Sequence, residues 1–158
     1  MQQLASTAAG VTALALMGSE LTVAGAGAGA GTDTISVVEN AVDSTVIDQG
    51  PSGPGIGDVF VVGGRLFDDG GTRVGVDGSS CTVTSEGGKA LCGLTLRLSD
   101  GQITAQGLIR SAHVPYVATM AVTGGTGAFA GAGGSIRLEQ TTQDEAHITV
   151  RLLQPTGS

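Results

Sequence analysis

The chain has no tryptophan, one tyrosine and three phenylalanines, so a hydrophobic core has to be assembled from aliphatic side chains. Cationic residues are scarce as well: seven Lys and Arg, every one at or after Arg65, with no run or strip among them. Neutralising a phosphate backbone takes clustered Lys and Arg. With a formal charge of −7 the chain excludes a nucleic-acid partner. Cys81 and Cys92 are the only cysteines, too few and too far apart for a zinc set and not the C-x-x-C of a redox enzyme. No metal is expected. His113 and His147 stand apart without ligand spacing, and no G-x-S-x-G elbow or placeable carboxylate pair occurs, which leaves no hydrolase constellation. No apolar run is long enough to span a bilayer as a helix.

Glycine is what the chain has in excess: 28 of 158 residues, too many for a helical protein and suited to short strands joined by tight turns. Residues 1–31 form a Gly/Ala-rich apolar segment. ASTAAGVTALALMG looks like the apolar part of a signal peptide, but MQQ before it carries no positive charge. This segment is read as a defective signal or an arm, and residues 32–158 as the folded domain. The expected location is the cytoplasm, with secretion as the alternative.

From Thr34 onward, strands and turns follow one another. Ile35, Val37 and Ala41 share a face with Glu39; DVFVVGGRLF ends at the turn Asp68-Asp69-Gly70-Gly71. Val74 and Val76 lie on one parity and Cys81 and Val83 on the other, so a bulge is expected at Gly78-Ser79-Ser80. Cys92, Leu94, Leu96 and Leu98 alternate with polar or small residues and run into Asp100-Gly101, a hairpin signal. If SEGG forms the loop at 85–88, antiparallel pairing sets Cys81 opposite Cys92, either as a disulfide or as two small buried thiols.

The segment Met120 to Gly134 admits two readings. Gly125, Gly127 and Ala130 fit a dinucleotide fingerprint, but that motif needs a following helix, and GAGGSIRLEQ is not one. The preferred reading is a wide glycine-rich connection that lets Phe129 fold back onto a sheet. Eight strands with short connections predict an all-β fold, a single eight-stranded antiparallel up-and-down barrel. With so many small residues, a ligand cavity is expected in preference to a lumen filled by Leu and Ile. Strands apolar on both faces call for cover outside, by the N-terminal arm or by a neighbouring copy in a homo-oligomer.

Laid out this way, the sequence resembles the allene oxide cyclase-like barrels, a superfamily that includes dirigent-type proteins. The matching pieces are VVEN at Val37 to Asn40, GDVFVVGGRLFDDGGTRVGVDGSSC from Gly57 to Cys81, LSDGQITAQG from Leu98 to Gly107, and AVTGGTGAFAGAGGSIRLEQ from Ala121 to Gln140. In the plant cyclases a first-strand glutamate and a cysteine belong to the active cavity, and these match Glu39 and Cys81. An asparagine and a tyrosine of those enzymes fall on Ala41 and near Ile109 and are missing. LFDDGG, LSDGQITAQG and LIRSAHVPYVATMAVTGG are more similar to a bacterial branch that closes spiro-fused polyketide rings by an intramolecular [4+2] reaction.

The resemblance implies a cofactor-free cyclase that folds a small hydrophobic, polyketide-like substrate in the lumen. Such a reaction requires a held conformer more than an acid/base set. Glu39, Arg110 and Tyr116 are the candidate polar anchors, Arg110 or Tyr116 for an anionic or carbonyl head group. Val37, Phe60, Phe67, Val76, Cys81, Leu94, Leu96, Met120 and Phe129 are the candidate lumen residues. The alternatives are a secreted small-molecule or lipid binder and an isomerase of fatty-acid epoxides.

Overall fold

The computed structural model describes residues 32–110 and 113–153, and the expectations for the N-terminal arm lie outside them. Eight antiparallel strands run in chain order: β1 (Thr32–Ile47), β2 (Val59–Phe67), β3 (Arg73–Val83), β4 (Lys89–Leu98), β5 (Gly101–Arg110), β6 (Tyr116–Gly125), β7 (Gly133–Gln140) and β8 (Glu145–Leu153). Each pairs with the next, and β1 also pairs with β8, so the sheet closes into an up-and-down barrel without an exposed edge. Among the described residues the one helical element, a 3-10 turn at Gly127–Phe129, sits in the glycine connection between β6 and β7.

The alternation in the strands sets which side chains enter the barrel. Ala90, Cys92, Leu94 and Leu96 are buried, whereas Leu91 and Arg97 are exposed on the outer face. Ala118, Met120 and Val122 repeat the pattern on β6, and Ala146, Ile148, Val150 and Leu152 on β8. The two ends of the tube differ. Toward the 68–72, 99–100 and 126–132 connections, Val37, Leu66, Leu96, Ile103, Ile136, Ile148 and Val150 pack into a continuous aliphatic plug. Burying each such side chain contributes about 1.5–3 kcal/mol. Phe129 folds back onto this plug, as the glycine reading predicts. Gly127 has φ +61°, and a Cβ there would collide with the Asp100 carbonyl, so no other residue serves.

The opposite end stays open. The β5–β6 ladder runs from Ile103↔Gly125 to Gln106↔Ala121 with a register shift between Thr104 and Ala105. In β1 the register with β2 shifts between Ala41 and Asp43, a bulge that turns inward first Val37, Glu39 and Ala41 and then Ser44 and Val46.

Two sequence expectations need correction. No bulge lies at Gly78-Ser79-Ser80: β3 pairs with β4 without interruption from Gly75↔Leu98 to Val83↔Ala90, and its register with β2 shifts instead between Leu66 and Phe67. Consequently Asp77, Ser79 and Cys81 share the inner face with Leu96, Leu94 and Cys92, and Val76 points outward in the row of Arg65 and Arg97. Phe67 is also outside, in a shallow groove with Val38, Asn40 and His147.

Candidate active site

The open half of the barrel encloses a cavity of about 790 Å³. Its aliphatic wall comes from Val62, Leu94, Ile109, Met120 and Leu138; Phe60 stands near the mouth, and the Cys81–Cys92 disulfide forms part of one side. These two cysteines face each other across β3 and β4 with Cα atoms 4.0 Å apart, so the disulfide alternative holds. The β1–β2 loop rims the opening and is fastened by Asp58. That buried carboxylate accepts the backbone N–H of Gln49 at 2.9 Å and of Gly55 at 2.7 Å, which hold its pKa below the usual carboxylate range.

Of the predicted anchors, the structure brings Glu39 and Tyr116 together on the cavity wall. Cross-strand pairing aligns Tyr116 with Gln140, Gln140 with Ala146, and Ala146 with Glu39, so the two sit in one row across four strands. Burial, together with the nearby Glu39 carboxylate, pushes the Tyr116 hydroxyl above its ordinary pKa. Arg110 is not part of the site. It neighbours Ile109, which faces inward, so its own side chain falls on the outer face and is exposed. Among the predicted lumen residues, Phe60, Cys81, Leu94 and Met120 line the cavity; Val37 and Leu96 belong to the plug beneath it, and Phe129 lies against that plug.

The residue missed from the sequence is Asp77. It faces inward behind Glu39, both of its carboxylate oxygens are buried, and the side-chain donor within reach is the Glu39 carboxyl when it carries a proton. What lets two carboxyls occupy this space is Gly64, paired with Ala41 on one side and Asp77 on the other. A Cβ on Gly64 would lie 2.5 Å from Asp77 Oδ1 and 2.8 Å from Glu39 Oε1, so the two acids meet over the position a side chain would fill.

Two carboxylates cannot hydrogen-bond to each other unless one carries a proton, because an ionised carboxyl has no donor. Burial is the main force keeping that proton on, and the like charge of Asp77 adds to it: Glu39 is raised from 4.5 to about 7. Burial likewise raises Asp77 to about 6. The pair holds one proton near neutral pH, the condition in which a carboxyl works as a general acid or base. Glu39 is only 6% exposed yet lines the cavity, so it is the member that can touch a ligand.

No Lys or Arg faces this site. All seven Lys and Arg lie among the described residues, all are exposed, and none lines the cavity. Among the described residues no group of three or more His, Cys, Asp or Glu could hold a metal ion, and no helix is long and apolar enough to cross a membrane.

The described residues thus build a closed eight-stranded barrel, plugged at one end and hollow at the other, with an acid on the inner wall. The chain belongs to the allene oxide cyclase barrel-like family, whose model, "Allene oxide cyclase barrel like domain", matches residues 38–152. Comparison with curated proteins gives no match. Among solved structures the chain is similar to a pyocyanin demethylase, at 31% identity and a TM-score of 0.67, covering 76% of this chain and 99% of that one. It shares the fold of a nonspecific heme-binding cyclase that catalyses [4 + 2] cycloaddition during neoabyssomicin biosynthesis (TM-score 0.64, 15% identity, 82% of this chain and 70% of that one). It also shares the fold of the Diels-Alderase AbmU from Streptomyces koyangensis (TM-score 0.63, 15% identity, 84% and 73%).

Proposed function

We propose that the chain is an enzyme that binds one small, largely apolar molecule in the open half of its barrel and directs an intramolecular ring closure of the [4+2] type. The observation that carries this reading is the one-ended aliphatic cavity with a single buried acid, Glu39, on its wall. A concerted cycloaddition needs no nucleophile. It needs a flexible chain held so that the reacting carbons approach closely, and orientation of that kind lowers barriers by up to about 7–11 kcal/mol in the best cases. Met120, Leu94 and Leu138 shape the fold of the substrate, and the plug beneath them limits how far it enters. The protonated Glu39 donates to a carbonyl conjugated with the dienophile, withdrawing electron density where the transition state accumulates it. Tyr116 hydrogen-bonds the same head group from β6, further round the barrel.

The fold shared with cycloaddition-catalysing barrels supports this reading. Spirotetronate-type substrates are the finer form of it, and cytoplasmic action on a polyketide precursor belongs to the same proposal. The test is incubation of the purified chain with a linear precursor carrying an uncharged diene and dienophile. A rate above buffer, with one product stereoisomer in excess and a fall of about tenfold or more in Glu39→Gln, supports it; buffer-level rates with a racemic product refute it.

A second reading, demethylation of a small aromatic molecule, rests on the 31% identity to the pyocyanin demethylase across nearly its whole length. Incubation with pyocyanin and a mass loss of one methyl group would favour that reading over the cyclase. A non-enzymatic binder on the same barrel is favoured by the cavity-wall disulfide, since such bonds persist in oxidising compartments. Protein secreted by its own host and carrying a bound lipid, with no turnover, would establish it.

A further inference from the structure

The distribution of charge narrows what the cavity can accept. This step rests on the cavity being the working site, as proposed above, and adds the charge class of its ligand. Anion sites in proteins are furnished with Arg, Lys or convergent backbone N–H groups. Here every Lys and Arg side chain points to solvent, and the wall carries Glu39 with Asp77 buried directly behind it. The remaining ionisable wall residues are Tyr116, in the row of Glu39, and His113, which is exposed at the mouth. The inward neighbours of Glu39 on β2 and β8 are Leu66 and Ala146, which bring no compensating charge. An anionic group reaching the inner wall would face a pair of acids in a water-poor space, where like charges repel far more strongly than in bulk water.

We infer that the cavity selects its ligand by charge: it takes an uncharged molecule whose hydrogen-bond acceptor takes over the Glu39 O–H from Asp77, and it rejects molecules that bring a carboxylate to the inner wall. The Asp77 carboxyl acts as a positioning group, keeping that proton on Glu39 without touching the ligand. Of the two head groups considered for Arg110, this excludes the anionic one and keeps the carbonyl, and the outward position of Arg110 is part of the same pattern.

Two fluorescent tricyclic probes test it. N-methylacridone is neutral and offers one carbonyl; acridine-9-carboxylate places a carboxylate at the same ring position. At pH 6 the wild type is expected to bind the neutral probe at least about tenfold more tightly than the anion. Affinity for the neutral probe is expected to fall at least about fivefold by pH 8.5, as Glu39 loses its proton. Glu39→Gln, which keeps a donor at all pH values, should bind the neutral probe without pH dependence and gain at least about tenfold for the anion. Arg110→Ala should change neither.

The charge rule is overturned if the wild type binds the anion as tightly as the neutral probe, or if the pH dependence persists in Glu39→Gln. Leu94→Trp, which fills the cavity, separates the two levels of the argument. Tight anion binding that Leu94→Trp abolishes overturns the charge rule and leaves the cavity as the ligand site. Failure of the wild type to bind either probe removes the cavity and the proposed function together.

Discussion

Replacing Glu39 by glutamine should make the protein more stable at pH 8 and leave it unchanged at pH 4. The carboxyl is raised from 4.5 to about 7 by burial and by Asp77, so the folded chain holds a proton that the unfolded chain releases. Below pH 4.5 both states are protonated and the group contributes its full share. Between pH 4.5 and about 7 only the folded state binds the proton, and stability falls as pH rises; above 7 both are ionised and the loss is complete. At 1.36 kcal/mol per pH unit this amounts to roughly 3 kcal/mol, an upper figure for the pair because Glu39 and Asp77 titrate together. Glutamine has nearly the same shape, carries no charge and can donate to Asp77, so it removes the penalty. Urea denaturation of wild type and variant from pH 4 to pH 9, disulfide intact, reads the difference directly and cancels the contributions of the carboxylates other than Asp77. On the thermal scale about 3 kcal/mol is roughly 6–12 °C for a chain of this size. A difference that is flat with pH, or a variant less stable than wild type at pH 8, would refute the reasoning that Glu39 is held protonated by the fold.

The remaining predictions concern the parts that place this acid. Gly64→Ala inserts a Cβ 2.5 Å from Asp77 Oδ1 and should destabilise by about 1–3 kcal/mol, with loss of the pH-dependent difference just described, measured by the same titration. Leu96→Ala, in the fully buried plug, should cost about 2–5 kcal/mol and deepen the cavity toward the closed end, visible in the denaturation midpoint and in a crystal structure of the variant. The Cys81–Cys92 pair, 11 residues apart in sequence, should give no titratable thiols in the unfolded, unreduced protein and two after reduction. Replacing both by alanine should cost about 2–4 kcal/mol in urea denaturation.

How much of this was legible from residues alone turns on one parity choice. The barrel, its strand order, the Cys81–Cys92 pairing and the positions of Glu39, Tyr116, Phe60, Leu94 and Met120 follow from alternation, turn residues and family resemblance. On β3 the rule that apolar residues face inward puts Val76 in the lumen and requires a bulge to return Cys81 to it. The strand instead runs without a bulge opposite β4 and directs Asp77 and Ser79 inward with Cys81, leaving Val76 outside. The displaced valine and the missed aspartate are one error. It arose because a polar inner face, which a ligand cavity tolerates, breaks the pattern that a packed core enforces. The signal available was Gly64: a glycine beside Arg65 and Leu66 in mid-strand marks close approach from a neighbour, here the two carboxyls. Arg110 is a similar case: a charge near the mouth reads as facing it, but the parity set by the inward Ile109 turns it outward. The half-filled lumen was not readable at all, because the plug and the cavity draw on the same aliphatic residues, and only the closure of the ring divides them into layers.

The account rests on the open half of the barrel being a binding site for an uncharged molecule held by Glu39. A crystal structure of the protein with N-methylacridone tests it most directly. The account predicts the tricycle within the cavity, between Leu94 and Met120, with its carbonyl oxygen in hydrogen-bond contact with Glu39. A cavity still empty at saturating probe, or a probe seated in the outer groove beside Phe67 and His147, would contradict it.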